Sequence, residues 1–533
     1  MSLIKTIANW LVNLTESEIP QEVKALLVAQ RKSVIAAISA SSSNDRAKLV
    51  ANAFLKSSSP GSFKPIGTSQ KCSLLDAIYH SCINSIALDF DDYMCFGHTG
   101  HSSVVTSLYI GAYTNADPAI LTTAQLAANE IAARLGGSCL IGPQNGQLWS
   151  FIHSISAAAA TSKLLDLDVK RTSNALALAL YHPPRATPSG FFNSDAKLLT
   201  AAEPTVMGVR AAFLARDNVE GPVSCLDDID GFYSAFSFVP LKELLETFQE
   251  GYLTYTLAIK KYPGCAYIDP VIDAINIMNL DTKASKAISK ITIRTNLITY
   301  LMDYLSSQHL NLDQVPTPVN INFSLKLSTA IALMDPTLTV KSLNKSWLTK
   351  NFTSLKSLFE KTEIIPDQSM TLSMLNEFSK IIKPTKLISR LKPSTITALF
   401  LSLLGSNMLP KENLVKRLRF LTPMLAQITK NAAANLANAS QKITKRNEGI
   451  ISMKNIHSFK FRFPSEITIE LGSEQKTHFC EVPEGSPKSS VSPDEVADLK
   501  FAKYGPLLFD QDSNEIKQHL TEDLDDFYQI LKD

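Results

Sequence analysis

The sequence has no pair of cysteines at C-x-x-C spacing. Its seven cysteines, at positions 72, 82, 95, 139, 225, 265 and 480, are scattered and odd in number. That argues against a zinc ribbon or a thioredoxin-type pair and suits free thiols in a reducing cytosol. Glycine and proline are few for 533 residues, 20 and 26, which argues against a turn-rich all-β protein. Neither sign of charge is in excess: the net charge is +2, so whole-chain electrostatics names no partner. Long apolar runs are missing too. The most apolar late stretch, 396–404, is too short to span a bilayer. The opening MSLIKTIANWLVNL lacks a basic segment, a long apolar run and a small-residue cleavage site, so no secretory signal is expected. These absences lead to the expectation of a cytoplasmic protein with no membrane partner.

What is present is apolar and helical. Hydrophobic residues make up 45% and charged residues 19% of the chain, enough to bury a large core and too apolar for wholesale disorder. The length predicts two or more compact units. Residues 123–137, 154–167, 173–181 and 208–215 are rich in Ala and Leu and predict closely packed helices, with Gly136-Gly137 as a helix stop. Past residue 260 the texture changes. Residues 286–295, 459–463 and 467–471 alternate apolar and polar with β-branched or aromatic side chains, which predicts strands. A hairpin is predicted over 471–479. Residues 494–501 and 514–531 return to helix.

The window 376–450 carries thirteen Lys and Arg against three Asp and Glu. This asymmetry predicts a basic helical insertion at about 371–450, either a set of solvated faces or a surface for an anionic partner. No aromatic interleaving or recognised motif points to nucleic acid.

Chemistry concentrates around residue 90. Leu75, Ile78, Cys82 and Ile86 form an apolar stripe at helical spacing within a helix predicted over 74–93. Continuing the stripe reaches Asp89 and Tyr93. A carboxylate on a buried face must be paired, hydrogen-bonded or functional. Asp91 and Asp92 crowd the same turn, so one of them can hold a proton near neutral pH. His98 and His101 follow in Gly97-His98-Thr99-Gly100-His101. A divalent metal is conceivable from Asp and His, but the sequence offers no obvious third ligand, and none is expected.

The segment Asp89-Phe90-Asp91-Asp92-Tyr93 … His98-Thr99-Gly100 resembles the D-F-D-D-T … H-P-G pattern of the MmgE/PrpD family. Three further stretches are similar to that family in the same order. They are Lys197-Leu198-Leu199-Thr200-Ala201-Ala202, Lys260-Lys261-Tyr262-Pro263, and the strand 467–471 followed by Ser492-Pro493-Asp494-Glu495 and Lys500-Phe501. The resemblance implies catalytic roles for Asp89, His98, Lys197 and Lys260, with Tyr93, His101, Gln147, Lys261 and Cys265 in substrate binding. His101 remains a rival to His98 for the family histidine. The residues suit that chemistry. Ammonium groups neutralise carboxylates and a developing enolate, and an imidazole moves protons near neutral pH.

The resemblance also implies a mainly α fold: a large all-helical domain plus a smaller α+β lid domain. The helical domain would take residues 1–258 and 484–533, and the lid residues 259–483. It implies a cofactor-free enzyme of the 2-methylcitrate dehydratase type, serving propionate metabolism as a homodimer. Cis-aconitate decarboxylase and iminodisuccinate epimerase activities are the alternatives within the family. The chain departs from the pattern at several places. Tyr93 replaces Thr and Thr99 replaces Pro. Gln147 stands at a family His, with His153 six residues on. Thr200 follows Leu199 where relatives carry His. Cys265 and Asp269 fall where His is frequent, and Leu327 where Tyr is. These changes also admit a diverged, non-catalytic scaffold that binds an anionic partner through the basic insertion.

Overall fold

The computed structural model describes residues 2–280, 287–390, 449–505 and 524–532. Most of the basic insertion, and residues 514–523 of the last expected helix, lie outside the described residues.

The N-terminal part is built from α1 (Leu3–Asn13), α2 (Gln21–Ser42), α3 (Asp45–Leu55), α4 (Leu74–Ile86), α5 (Gly100–Thr114), α6 (Pro118–Ser138), α7 (Phe151–Leu164), α8 (Val169–Tyr181), α9 (Pro188–Asn193), α10 (Leu199–Arg216) and α11 (Phe232–Phe236). Local chemistry sets several starts. Asp117 accepts from the amides of Ala119 and Ile120 ahead of α6, with Pro118 in the first turn, and Asp168 caps α8 on Arg171. The Ala-rich helices lie at the centre: α10 packs on α7, α8 and α4, and α6 on α7. Gly208 explains how closely α10 approaches α7, because a Cβ there would lie 2.0 Å from the Ser154 carbonyl oxygen. The stretch Asp195–Arg216 is long and apolar enough to cross a membrane, but its apolar window is 67% buried, as expected of a core helix. The Gly136-Gly137 stop is displaced. α6 runs through both glycines to Ser138, because their bare Cα atoms let Phe96 and Trp149 press against the helix.

The smaller α+β part centres on a four-stranded sheet in the order β4 (Thr362–Pro366), β3 (Ile288–Thr295), β5 (Ser465–Leu471), β6 (Glu474–Cys480). Only β3 and β4 run parallel. Ile291 pairs with Ile469 and Ile293 with Ile467, all four buried, so alternation puts one apolar face inward. The helix α12 (Asp269–Met278) packs on β5 and β6. The predicted hairpin is present, turning at Gly472 with φ +62°.

Two expectations need correction. Residues 459–463 are not a strand. Phe459, Phe461 and Phe463 pack their rings in series instead, and Phe461 meets Tyr93 at 4.7 Å between centroids. The helix predicted over 74–93 stops at Ile86. Asp89 then takes a left-handed backbone, φ +53°, a conformation Asp tolerates better than most residues. The chain re-emerges as β1 (Asp92–Tyr93), paired antiparallel with β2 (Ala258–Ile259). Asp89 and Tyr93 therefore do not continue the helical stripe. The turn between them brings the 89–98 segment against the segment after residue 258.

The helix Pro493–Tyr504, capped by Ser492 and Glu495, packs along α2. Its Lys500 is buried, 2.8 Å from Ser33 Oγ and hydrogen-bonded to the Phe90 carbonyl, with the ammonium 3.8 Å above the Phe90 ring. Burial pushes this ammonium down from 10.5 to about 7. The unfolded chain therefore holds the proton between about pH 7 and 10.5 where the folded chain does not, and stability rises with pH across that window. Lys500→Met is expected to flatten this rise. Thermal midpoints of both proteins at pH 7 and pH 9 check it, and equal slopes would contradict it.

Candidate active site

The turn after α4 presents Asp89 and Asp91 to residues from distant parts of the chain. Asp89 is fully buried. Its Oδ1 lies 3.4 Å from Lys197 Nζ and 3.4 Å from Lys260 Nζ, and accepts from Gln147 Nε2. Its Oδ2 is buried with no hydrogen-bond partner. Lys197 is anchored on the Ile86 carbonyl at 3.1 Å and lies 5.1 Å above the Phe323 ring. Lys260 donates to the Asp89 carbonyl at 3.0 Å and to Asp91 Oδ1 at 2.7 Å.

Asp91 is the hub. Its Oδ2 sits 2.9 Å from His98 Nδ1 and 2.9 Å from His101 Nε2. His101 is held from behind by Ser85 Oγ at 2.9 Å, and His98 is also 3.1 Å from Gln147 Nε2. The two imidazoles differ in access: the His101 side chain is fully buried, whereas that of His98 is 12% exposed. His153 lies one layer further in, 3.0 Å from Ser102 Oγ and with its ring 5.8 Å from that of His101.

Burial alone would raise both carboxyls. For Asp89 the ammonium groups of Lys197 and Lys260 outweigh it; for Asp91, Lys260 and the two imidazoles do, and more strongly. Both acids are therefore held ionised. Burial pulls Lys197 down despite Asp89, whereas the two carboxylates overcome burial at Lys260 and raise it. Asp92 goes the other way. Burial and the neighbouring Asp91 raise it, although Gln30 donates to its Oδ2 at 2.8 Å. Of the three crowded carboxyls, this is the one pushed toward holding a proton.

The structure thus gathers Asp89, His98, His101, Lys197, Lys260 and Gln147 in one cluster. Cys265 stands at its edge, its thiol pushed up to about 12 by burial and by Asp89. Tyr93 flanks it, with its hydroxyl on Ser486 Oγ at 3.1 Å. Lys261 is not brought in: its ammonium pairs with Glu484 and lies 3.7 Å from Asp273. Leu327 is a core side chain. The central place of Asp91 and the buried Lys500 were missed as site elements, although both lie within segments that the family resemblance had marked.

Asp91, His98 and His101 also supply the three ligand atoms that the sequence alone did not show, all within 4.8 Å of one another. A divalent cation there would face the Lys260 ammonium on the other oxygen of Asp91. That charge opposes metal binding.

No curated protein matches the chain. Residues 5–243 match the MmgE/PrpD N-terminal domain, and that region supplies Asp89, Asp91, His98, His101, Gln147 and Lys197. The N-terminal part of the chain is thus similar to the MmgE/PrpD family, whose members are generally dehydratase-like enzymes.

Proposed function

We propose that this protein removes a proton next to a carboxylate on a small di- or tricarboxylate acid, most closely as a 2-methylcitrate dehydratase does, without metal or cofactor. The observation that carries this reading is Asp89 Oδ1 midway between two buried ammonium groups, beside the one partly exposed imidazole. In this mechanism Asp91 takes His98 Nδ1–H, which leaves Nε2 to accept the substrate proton. Lys197 and Lys260 stabilise the substrate carboxylates and the negative charge that grows as the C–H bond breaks. The unpartnered Asp89 Oδ2 offers a further polar contact. Decarboxylation and epimerisation begin with related chemistry beside a carboxylate, so the site accommodates them as alternatives. We further propose a cytosolic homodimer; the seven unpaired cysteines suit a reducing compartment.

The test is solvent exchange. Purified protein incubated in D2O with a panel of citrate-type acids is expected to incorporate deuterium beside a carboxylate of at least one of them, read by NMR. No exchange with any acid of the panel would sink the proposal.

A further inference from the structure

We propose that the Asp269 carboxyl group donates the proton needed by the leaving hydroxyl, acting as the acid opposite the base at His98. This rests on reading the site as a dehydratase.

Asp269 opens α12, and the loop before that helix is clamped onto the catalytic turn. Lys260 N donates to the Asp91 carbonyl at 3.2 Å and Gly264 N to the Asp89 carbonyl at 3.2 Å, while Cys265 N donates to the Asn322 carbonyl at 2.8 Å. The start of α12 is thereby fixed relative to Asp89, Asp91 and Lys260. Asp269 is 1% exposed, yet no side chain donates to either of its carboxylate oxygens, and from the main chain the Lys261 amide pulls on it.

Asp273, one helical turn along the same face, provides the contrast. Its Oδ1 accepts from the Tyr262 hydroxyl at 2.9 Å and its Oδ2 from Glu484 N at 2.9 Å. Lys261 lies 3.7 Å away. Asp273 is therefore a fully employed structural acid. Asp269 has the same burial without that employment. Buried polar groups in folded proteins are almost always satisfied, so a carboxyl without a side-chain donor beside a catalytic cluster calls for a partner supplied from outside the chain.

Its surroundings fit proton donation. Burial and then Asp273 push Asp269 well above the ordinary carboxyl range, against the pull of Lys260 and the Lys261 amide and ammonium. Tyr93, beside His98, lies within its electrostatic reach. Asp269 therefore lies near Lys260 and Tyr93 of the same site, with its proton held.

The step balances. His98 takes the proton from the carbon beside the carboxylate, and the C–H electron pair becomes the new C=C bond. The C–O bond on the adjacent carbon breaks, and the hydroxyl leaves with the Asp269 proton as water. Asp269 is left as a carboxylate and His98 as an imidazolium. Solvent then returns a proton to the first and takes one from the second.

The experiment measures deuterium exchange and dehydration on the acid that the wild-type protein exchanges, for Asp269→Asn and Asp269→Glu. Asp269→Asn is expected to slow dehydration by about 100-fold or more, the usual scale for a lost general acid. It should keep exchange within a few-fold, because exchange needs only the base. Asp269→Glu is expected to recover part of the dehydration, and the thermal midpoint of the Asn variant should hold, since Asn keeps the shape and an acceptor for the Lys261 amide. Dehydration by Asp269→Asn at the wild-type rate overturns the assignment. So does a parallel loss of midpoint, exchange and dehydration, which marks a structural residue. Wild-type exchange without any dehydration removes the role of Asp269 but leaves the proton-abstraction reading standing. Absence of wild-type exchange removes both.

Discussion

Lys260→Met is expected to destabilise the protein by about 3–5 kcal/mol, the range for removing one partner of a buried ion pair. Lys260 is fully buried and serves two acids and a carbonyl at once: Asp91 at 2.7 Å, Asp89 at 3.4 Å and the Asp89 main chain at 3.0 Å. Met fills much of the same volume but brings no charge. Asp91 would be left against two imidazoles, and Asp89 with Lys197 alone. Adding Asp91→Asn to Lys260→Met should recover part of the loss, because the acid that lost its counter-charge is then gone. The deficit should also shrink in acid. Asp91 lies well below its ordinary range in the folded chain, so the stability it contributes is present at neutral pH and is lost as pH falls and it protonates. Thermal midpoints of the single and double variants decide the matter. A single variant that melts with the wild type would mean that this ammonium does not hold the cluster together.

The two histidines are expected to separate function from structure. His98→Ala should slow deuterium exchange by about 10²- to 10⁴-fold, the scale for a lost general base, with little change in thermal midpoint. Its side chain is partly exposed and belongs to a loop between β1 and α5. His101→Ala should chiefly destabilise. That ring is fully buried on α5 between Ser85 and Asp91, and its removal leaves a cavity and takes the imidazole partner from Ser85 Oγ, a cost of about 1–3 kcal/mol for the buried polar group alone. If His101→Ala kept its stability and lost exchange while His98→Ala stayed active, His101 would be the base and the assignment would be reversed.

How far the sequence reached can be seen at particular residues. The Ala-rich helices were legible because helix propensity and close packing agree there. The sheet was legible where alternation meets a buried face, at Ile291, Ile293, Ile467 and Ile469. Alternation misled at 459–463, where three phenylalanines satisfy one another by ring packing and leave no need for a ladder. Periodicity misled at Asp89, because a single left-handed residue resets the direction of the chain, and a stripe extrapolated from the preceding helix cannot register that. Motif order brought Lys197 and Lys260 to Asp89, contacts that join residues more than 100 positions apart. It could not rank Asp91 above Asp89, since that ranking depends on which oxygen meets which nitrogen. Lys261 shows the same limit from the other side: adjacent to Lys260 in sequence, it turns away to Glu484.

The reach of Lys500 across to Phe90 has a consequence for the order in which the molecule is made. On a ribosome the chain emerges from its N-terminal end, and early domains fold first. The catalytic turn is synthesised with Asp91 in place, but the ammonium that neutralises it follows some 170 residues later. The ammonium that fastens the Phe90 carbonyl to α2 follows about 410 residues later. Until then Asp91, at the heart of the nascent helical bundle, lacks its ammonium partner, and Asp89 has Lys197 alone. A partial chain ending near residue 243 would therefore hold most of the site residues without Lys260 and Lys500, and the site is complete only once both of those segments have been made.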